Sequence, residues 1–131
     1  MINKDLNEDL RISIENSFNE IASILKAIGN QKRFKILLRL LEGAQSFGYL
    51  LKETNLQRTA LSNHLTKLIK INLIEKVDFG IYNITGDGLE FMKAFDKAYY
   101  ESPTRTMERF DNLQGGKISE KFLHRFNPKS I

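Results

Sequence analysis

Two short amphipathic stretches, Phe47 to Thr54 and Arg58 to Ile71, are separated only by Asn55-Leu56-Gln57. So short a connection allows few arrangements of two helices. Ser46 is placed to cap the first, which buries Phe47, Leu50 and Leu51. Asn55 can take the left-handed conformation that a tight turn needs, and Leu56 then plugs the core. The second helix centres its inner face on Leu61, with Leu65 and Leu68 beside it at helical spacing. Two short helices joined by a three- or four-residue turn form a helix-turn-helix unit.

The outer face of that second helix carries Thr59, Ser62, Asn63, Thr66, Lys67 and Lys70, with no acidic residue. A merely solvated helix usually mixes Glu with Lys, because oppositely charged pairs four apart stabilise it. Hydroxyls and amides flanked by lysines suit base edges and phosphates in a major groove. Arg58 stands at the helix start, where groove-reading helices touch bases. The overall charge of +4 hides a strong segregation. Residues 1–25 are net acidic, residues 77–131 are balanced, and residues 26–76 hold ten Lys or Arg against three acids. Positive charge concentrated on these elements is the footprint of a polyanion binder.

Around this unit the pattern predicts further elements. Leu6, Leu10, Ile14, Phe18, Ile21, Leu25 and Ile28 recur at steps of three and four, giving one long helix from about Leu6 to Ile28. Its stripe exceeds what a small core requires, and dimerisation is a natural use for the remainder. Gly29 is expected to end it as a left-handed cap, and Asn30 to cap the next helix, about Gln31 to Glu42. Phe34, Leu37, Leu38 and Leu41 are that helix's expected main buried face, widened by Ile36 and Leu40. Lys32, Arg33, Lys35 and Arg39 are left outside, and Gly43 closes it. After Asn72, Leu73 to Val77 and Ile81 to Thr85 read as a hairpin around Asp78-Phe79-Gly80. A lone hairpin is marginal in water, so a third short strand is expected near Gln45. Thr85 is a plausible cap for a last long helix, Asp87 to about Tyr100, striped by Leu89, Met92, Phe95 and Tyr99. Pro103 breaks it. Residues 104–131 are expected to be weakly ordered, with Gly115-Gly116 as a hinge and a short helix over Glu120 to Phe126.

Composition narrows the function classes. The 131 residues suit one domain with a modest core, and 41% hydrophobic with 27% charged residues is globular. Apolar runs such as Ile36-Leu37-Leu38 are too short to span a bilayer, and Met1 to Asp5 does not open a signal peptide, so a cytoplasmic location is expected. The absence of cysteine excludes disulfides, thiolate metal sites and cysteine catalysis. Only His64 and His124 are present, so a histidine-rich metal centre is excluded as well. His124 reads as a tail residue. No nucleophile and base pair emerges, so the chain is not expected to be an enzyme and implies no cofactor or metal. Gly86-Asp87-Gly88 lacks the length and the Lys-Ser/Thr ending of a phosphate loop and reads as a turn. Phe95, Tyr99 and Tyr100 could line a ligand pocket, but a dimer interface explains them more simply.

These residues resemble a known family. Ile24 to Leu37, with Gly29-Asn30-Gln31-Lys32-Arg33 at its centre, looks like the opening of the ArsR-type winged-helix regulators of bacteria and archaea. Leu56 to Leu68 looks like their recognition helix, and Leu73-Ile74-Glu75-Lys76 with Tyr82 to Thr85 looks like their wing. The likeness spans about residues 24–92, and its specificity lies in the ordered set rather than in any one motif. It implies a homodimer through the first and last helices, with two recognition helices entering successive major grooves of double-stranded DNA. Half-sites would lie about 10 base pairs apart. Carried over by position, it puts DNA contacts on Gln57, Arg58, Thr59, Ser62, Asn63, His64 and Lys67, and phosphate contacts on Lys32, Arg33 and Lys76. His64 can equally be a satisfied histidine at the packing boundary. There are departures. The third helix offers no thiol and the last helix no histidine, which argues against metal sensing. Gln57 stands where a serine cap is usual, and the wing tip Asp78-Phe79-Gly80 lacks the usual basic residues.

The expected fold is therefore mainly α with a small β-hairpin wing: a winged helix-turn-helix with extra N- and C-terminal helices. Residues 1–101 form the domain, with its core at 24–92, and 102–131 form an extension, as a short helix or partly disordered. The expected function is a sequence-specific, homodimeric transcriptional regulator reading duplex DNA with residues about 58–71. A different class, a winged-helix module docking on protein within a transcription assembly, is the alternative.

Overall fold

The computed structural model describes residues 4–114, which fall into two compact units divided between Glu90 and Phe91. The Gly115-Gly116 hinge, the short helix expected over Glu120 to Phe126, and His124 lie outside the described residues. The elements run α1 (Lys4–Asn16), α2 (Phe18–Ile28), α3 (Gln31–Leu40), β1 (Gln45–Ser46), α4 (Phe47–Thr54), α5 (Arg58–Lys70), β2 (Ile74–Asp78), β3 (Ile81–Ile84), α6 (Gly86–Tyr100) and α7 (Pro103–Gln114). This is the expected mainly helical, winged helix-turn-helix architecture.

In the first unit, α3 packs on α4, α5 and β3, and α5 packs on β2. The core is built from Ile36, Leu37 and Leu40 of α3, Leu50 of α4, Leu61, Leu65 and Leu68 of α5, and Leu73 and Ile74 at the start of the wing. Each such side chain contributes about 1.5–3 kcal/mol on burial, so this cluster outweighs any polar contact in the fold. The antiparallel sheet has the order β1-β3-β2, and Gln45 and Ser46 pair with Tyr82 and Ile81, supplying the third strand the hairpin needs. A bulge between Lys76 and Asp78 interrupts the wing, and Gly80 takes φ +65° at its tip.

The caps are mostly those the sequence specifies. Asn30 Oδ1 accepts from Arg33 N–H at 3.1 Å, and Ser46 Oγ accepts from Tyr49 N–H at 3.0 Å. Left-handed asparagines bracket α5: Asn55 at φ 55° before it and Asn72 at φ 61° after it. Beyond α5, Leu73 N–H reaches back to Leu68 O at 3.0 Å, closing the helix as a Schellman motif. Thr85 then ties three elements together. Its hydroxyl donates to Asn72 O at 2.6 Å and accepts from Gly88 N–H at 3.0 Å, capping α6.

Four expectations are corrected. The first helix is broken at Ser17 into α1 and α2; Asn16 and Ser17 are poor helix formers whose side chains compete for backbone groups. Gly29 is right-handed, at φ −66°, because Asn30 makes the change of direction itself by going extended to cap α3. The buried face of α3 is Arg33, Ile36, Leu37 and Leu40, while Phe34, Leu38 and Leu41 are exposed. An apolar template skips Arg33, although it holds the first position of the true i, i+3, i+4, i+7 face. Finally, Pro103 begins a helix rather than a weakly ordered tail. It is the first residue of α7, and Ser102 Oγ accepts from Arg105 N–H at 3.2 Å as the cap.

Gly88 is where the chain is tightest. A Cβ there would stand 2.3 Å from Leu73 O and 2.8 Å from an Ile84 methylene, whereas one at Gly86 would meet nothing within 4 Å. Gly88→Ala is expected to cost about 1–3 kcal/mol, since the Leu73 backbone must move to admit it. Gly86→Ala is expected to be near neutral. Urea midpoints of the two variants check the contrast.

Candidate nucleic-acid interface

Burial of Leu61, Leu65 and Leu68 turns the opposite face of α5 outward. Thr59, Ser62, Asn63, Thr66, Lys67 and Lys70 are all exposed. No acid lies among them. Thr66 spends its hydroxyl proton on Ser62 O at 2.9 Å, leaving Ser62, Asn63 and Thr59 as the polar groups turned outward near the helix start. Gln57 is the cap residue by backbone conformation, but its side chain makes no capping bond, so its amide is available to a ligand. The first-turn amides of α5 add a partial positive charge at this end.

Arg58 is exposed, and its guanidinium lies over the Phe47 ring at 5.3 Å. Phe47 was expected in the core; the structure leaves it half-buried as a platform for Arg58. An arginine followed at this interval by no acid but preceded by an aromatic at the start of a neighbouring helix is the only signal the sequence offers for this. Lys32 is exposed at the start of α3, and its ammonium donates to Thr54 O at 2.5 Å, a carbonyl at the end of α4. That bond holds a positive charge beside the turn between α4 and α5. On the wing, Lys76 is exposed with its ammonium 5.2 Å from the centre of the Phe79 ring, and Phe79 itself is 91% exposed.

Arg33 departs from expectation. It is 8% exposed, not on the outer side of α3. Its Nε donates to Ala27 O at 2.7 Å, a second nitrogen reaches Lys26 O at 3.5 Å, and a third lies 3.0 Å from His64 Nδ1. A guanidinium can only donate, so Nδ1 accepts and the neutral ring carries its proton on Nε2. His64 is half-buried, and its pKa falls below the ordinary 6.5, first through burial and then through the charges of Arg33 and Lys67. The structure thus brings Gln57, Arg58, Thr59, Ser62, Asn63 and Lys67 onto one exposed face, with Lys32 and Lys76 exposed on α3 and β2, and draws Arg33 inward.

The sign of the resulting pH dependence follows from the lowered pKa. Below pH 6.5 the unfolded chain takes up the imidazole proton before the folded one does. Stability is therefore undiminished by His64 above that pH and declines as pH falls through the window beneath it. Denaturant midpoints are expected to drop as pH is lowered through and below 6.5, and to drop less in His64→Gln. Equal drops in both proteins would show that His64 is not the group involved.

Comparisons with known proteins agree with this geometry. Residues 30–76 match the family model described as bacterial regulatory protein, arsR family. No curated protein matches the chain. Among solved structures, HlyU from Vibrio cholerae N16961 is 27% identical, with a TM-score of 0.56 over 66% of this chain and 97% of that one. NolR from Sinorhizobium fredii is 26% identical, with a TM-score of 0.52 over 76% of this chain and 95% of that one. The winged helix-turn-helix domain of Mb0332 from Mycobacterium bovis, described as homodimeric and DNA-binding, is 21% identical with a TM-score of 0.53 over 68% and 90% of the two chains, a likeness of fold. With α3, the α4-turn-α5 unit and most of the first wing strand inside the matched segment, residues 30–76 are similar to the arsR family of bacterial regulatory proteins, and they lie within a winged helix-turn-helix fold.

Proposed function

We propose that the chain is a sequence-specific regulator that binds double-stranded DNA as a homodimer, with α5 in the major groove. The observation that carries this is the exposed, acid-free outer face of α5, headed by an arginine held on an aromatic platform. Bases are read by Arg58, Gln57, Thr59, Ser62 and Asn63. Lys67, Lys32 and Lys76 meet phosphates, and His64 offers Nε2–H at the edge of the same face. Arg33 acts from inside, holding the imidazole. Residues 1–101 make up the binding domain with its dimer helices, 102–131 extend it, and the chain acts without catalysis in the cytoplasm.

The dimer reading rests on α1 and α2. Leu10 and Ile14 of α1 and Phe18 and Leu25 of α2 are 56%, 41%, 60% and 57% exposed, at a helical spacing that continues in sequence from one helix into the other. An apolar row of this length is rarely left in water. The description of Mb0332 as homodimeric supports the same assembly. Phe18→Glu is expected to yield a folded monomer in sedimentation, with duplex affinity reduced because only one half-site is engaged at a time. A mass unchanged by the substitution would place the interface elsewhere.

The direct test is a salt titration of duplex binding. Several phosphate contacts would make log affinity fall steeply with log salt. Arg58→Ala is expected to weaken binding to a selected sequence by roughly 1–3 kcal/mol and to spare random duplex. Lys32→Ala is expected to weaken both alike and to lower the salt slope by about one. A second reading, a protein-docking module in a transcription assembly, draws on the exposed Val77 and Phe79 of the wing. Absence of duplex binding even at low salt would favour it.

A further inference from the structure

A cleft of about 360 Å³ opens between α2, α3 and α5. Lys26, Arg33, Lys67 and Lys70 line it, with Ser23 adding a hydroxyl and Ala27 and Ile71 the apolar wall. No carboxylate is in the lining. Like charges so gathered repel one another. Arg33 sharpens the point. Its side chain is buried, and among the described residues its polar partners are two backbone carbonyls and a neutral imidazole, none of which cancels its charge. Buried charges are ordinarily paired with an opposite charge. The pKa of His64 is lowered first by burial and then by the charges of Arg33 and Lys67.

We propose that this cleft binds a phosphate-class oxyanion, with Lys26 of α2, Arg33 of α3 and Lys67 and Lys70 of α5 supplying its countercharge. The volume accommodates a small phosphorylated molecule as well as a bare phosphate group. Ser23 supplies a hydroxyl donor, and Ala27 and Ile71 leave room for an apolar portion. Lys67 and Lys70 also belong to the exposed row of α5. An occupant of the cleft therefore draws on charge that a duplex uses, and a free ligand would weaken DNA binding. The phosphate can belong to such a ligand or to the duplex backbone itself. The second source rests on the DNA reading above; the first does not.

The test uses the full chain, inorganic pyrophosphate as probe, and chloride at matched ionic strength as reference. The variant is Lys26→Gln, whose exposed side chain leaves the fold intact. That is checked by an unchanged melting temperature in chloride. Without DNA, pyrophosphate at tenfold over its Kd is expected to raise the wild-type melting temperature by roughly 4 °C or more. The variant should lose most of that rise. Pyrophosphate should also weaken wild-type duplex binding more than it weakens that of the variant. If the duplex supplies the phosphate instead, pyrophosphate has no effect, and the variant's salt slope for duplex binding falls by about one. The proposal is overturned if pyrophosphate stabilises both proteins equally, or if it stabilises neither and the salt slope is unchanged. Failure of wild type to bind any duplex would refute the DNA reading alone, leaving the pyrophosphate measurement to decide the cleft.

Discussion

One buried guanidinium ties α5 to the elements before it. Arg33 satisfies carbonyls at the end of α2, which a helix leaves without intrahelical partners, and reaches His64 on α5 with another nitrogen. Apolar packing of α3 against α5 is non-directional and permits small rotations and slides. The planar fork of an arginine does not, because its donors have fixed angles. The leucine core sets how strongly α5 is held, and Arg33 sets the orientation in which it is held. A lysine could keep the charge at this position, but its donors share one nitrogen and cannot span the three positions that the fork reaches.

Much of the fold was legible because its punctuation is strong. Asn30, Ser46, Asn55 and Thr85 each perform the capping or turning role their side-chain chemistry suggests, and the Leu61-Leu65-Leu68 wheel is a clean period. The face of α5 could be read for the same reason: three leucines fix what is inside, so everything opposite is outside. On α3 the pattern is ambiguous. Six apolar residues in Phe34–Leu41 offer more than one plausible face, and the deciding position is a charged one. Burial of Arg33 depends on carbonyls and an imidazole contributed by residues 26, 27 and 64, partners no local pattern reveals. The cleft beside it was invisible in sequence on the same ground, since its four cations are spread over residues 26 to 70.

The remaining differences also have local causes. A proline after a helical run reads as a breaker, yet its missing N–H costs nothing in a first helical turn, and Ser102 just before it supplies a cap. The three- and four-residue spacing of the apolar positions runs through Ser17 unbroken in sequence, so periodicity alone reports one helix. A lone hairpin needs support, and the structure shows how little suffices. Two residues of β1 pair with β3, and Phe47 N–H donates to Gly80 O at 2.8 Å, fastening the start of α4 to the wing turn.

The two left-handed asparagines that bracket α5 have a consequence for how this domain can change over evolutionary time. Between Asn55 and Asn72 the chain has no slack. Each end is a fixed reversal, and the helix between presents its leucines inward at one phase only. One inserted or deleted residue would rotate everything beyond it by roughly 100° about the helix axis, exchanging a buried leucine for a lysine. Length variation in this stretch is therefore closed to selection. New target preferences must arise by point replacement on the outer face, while the wing tip, where Phe79 stands in solvent, remains free to lengthen or shorten.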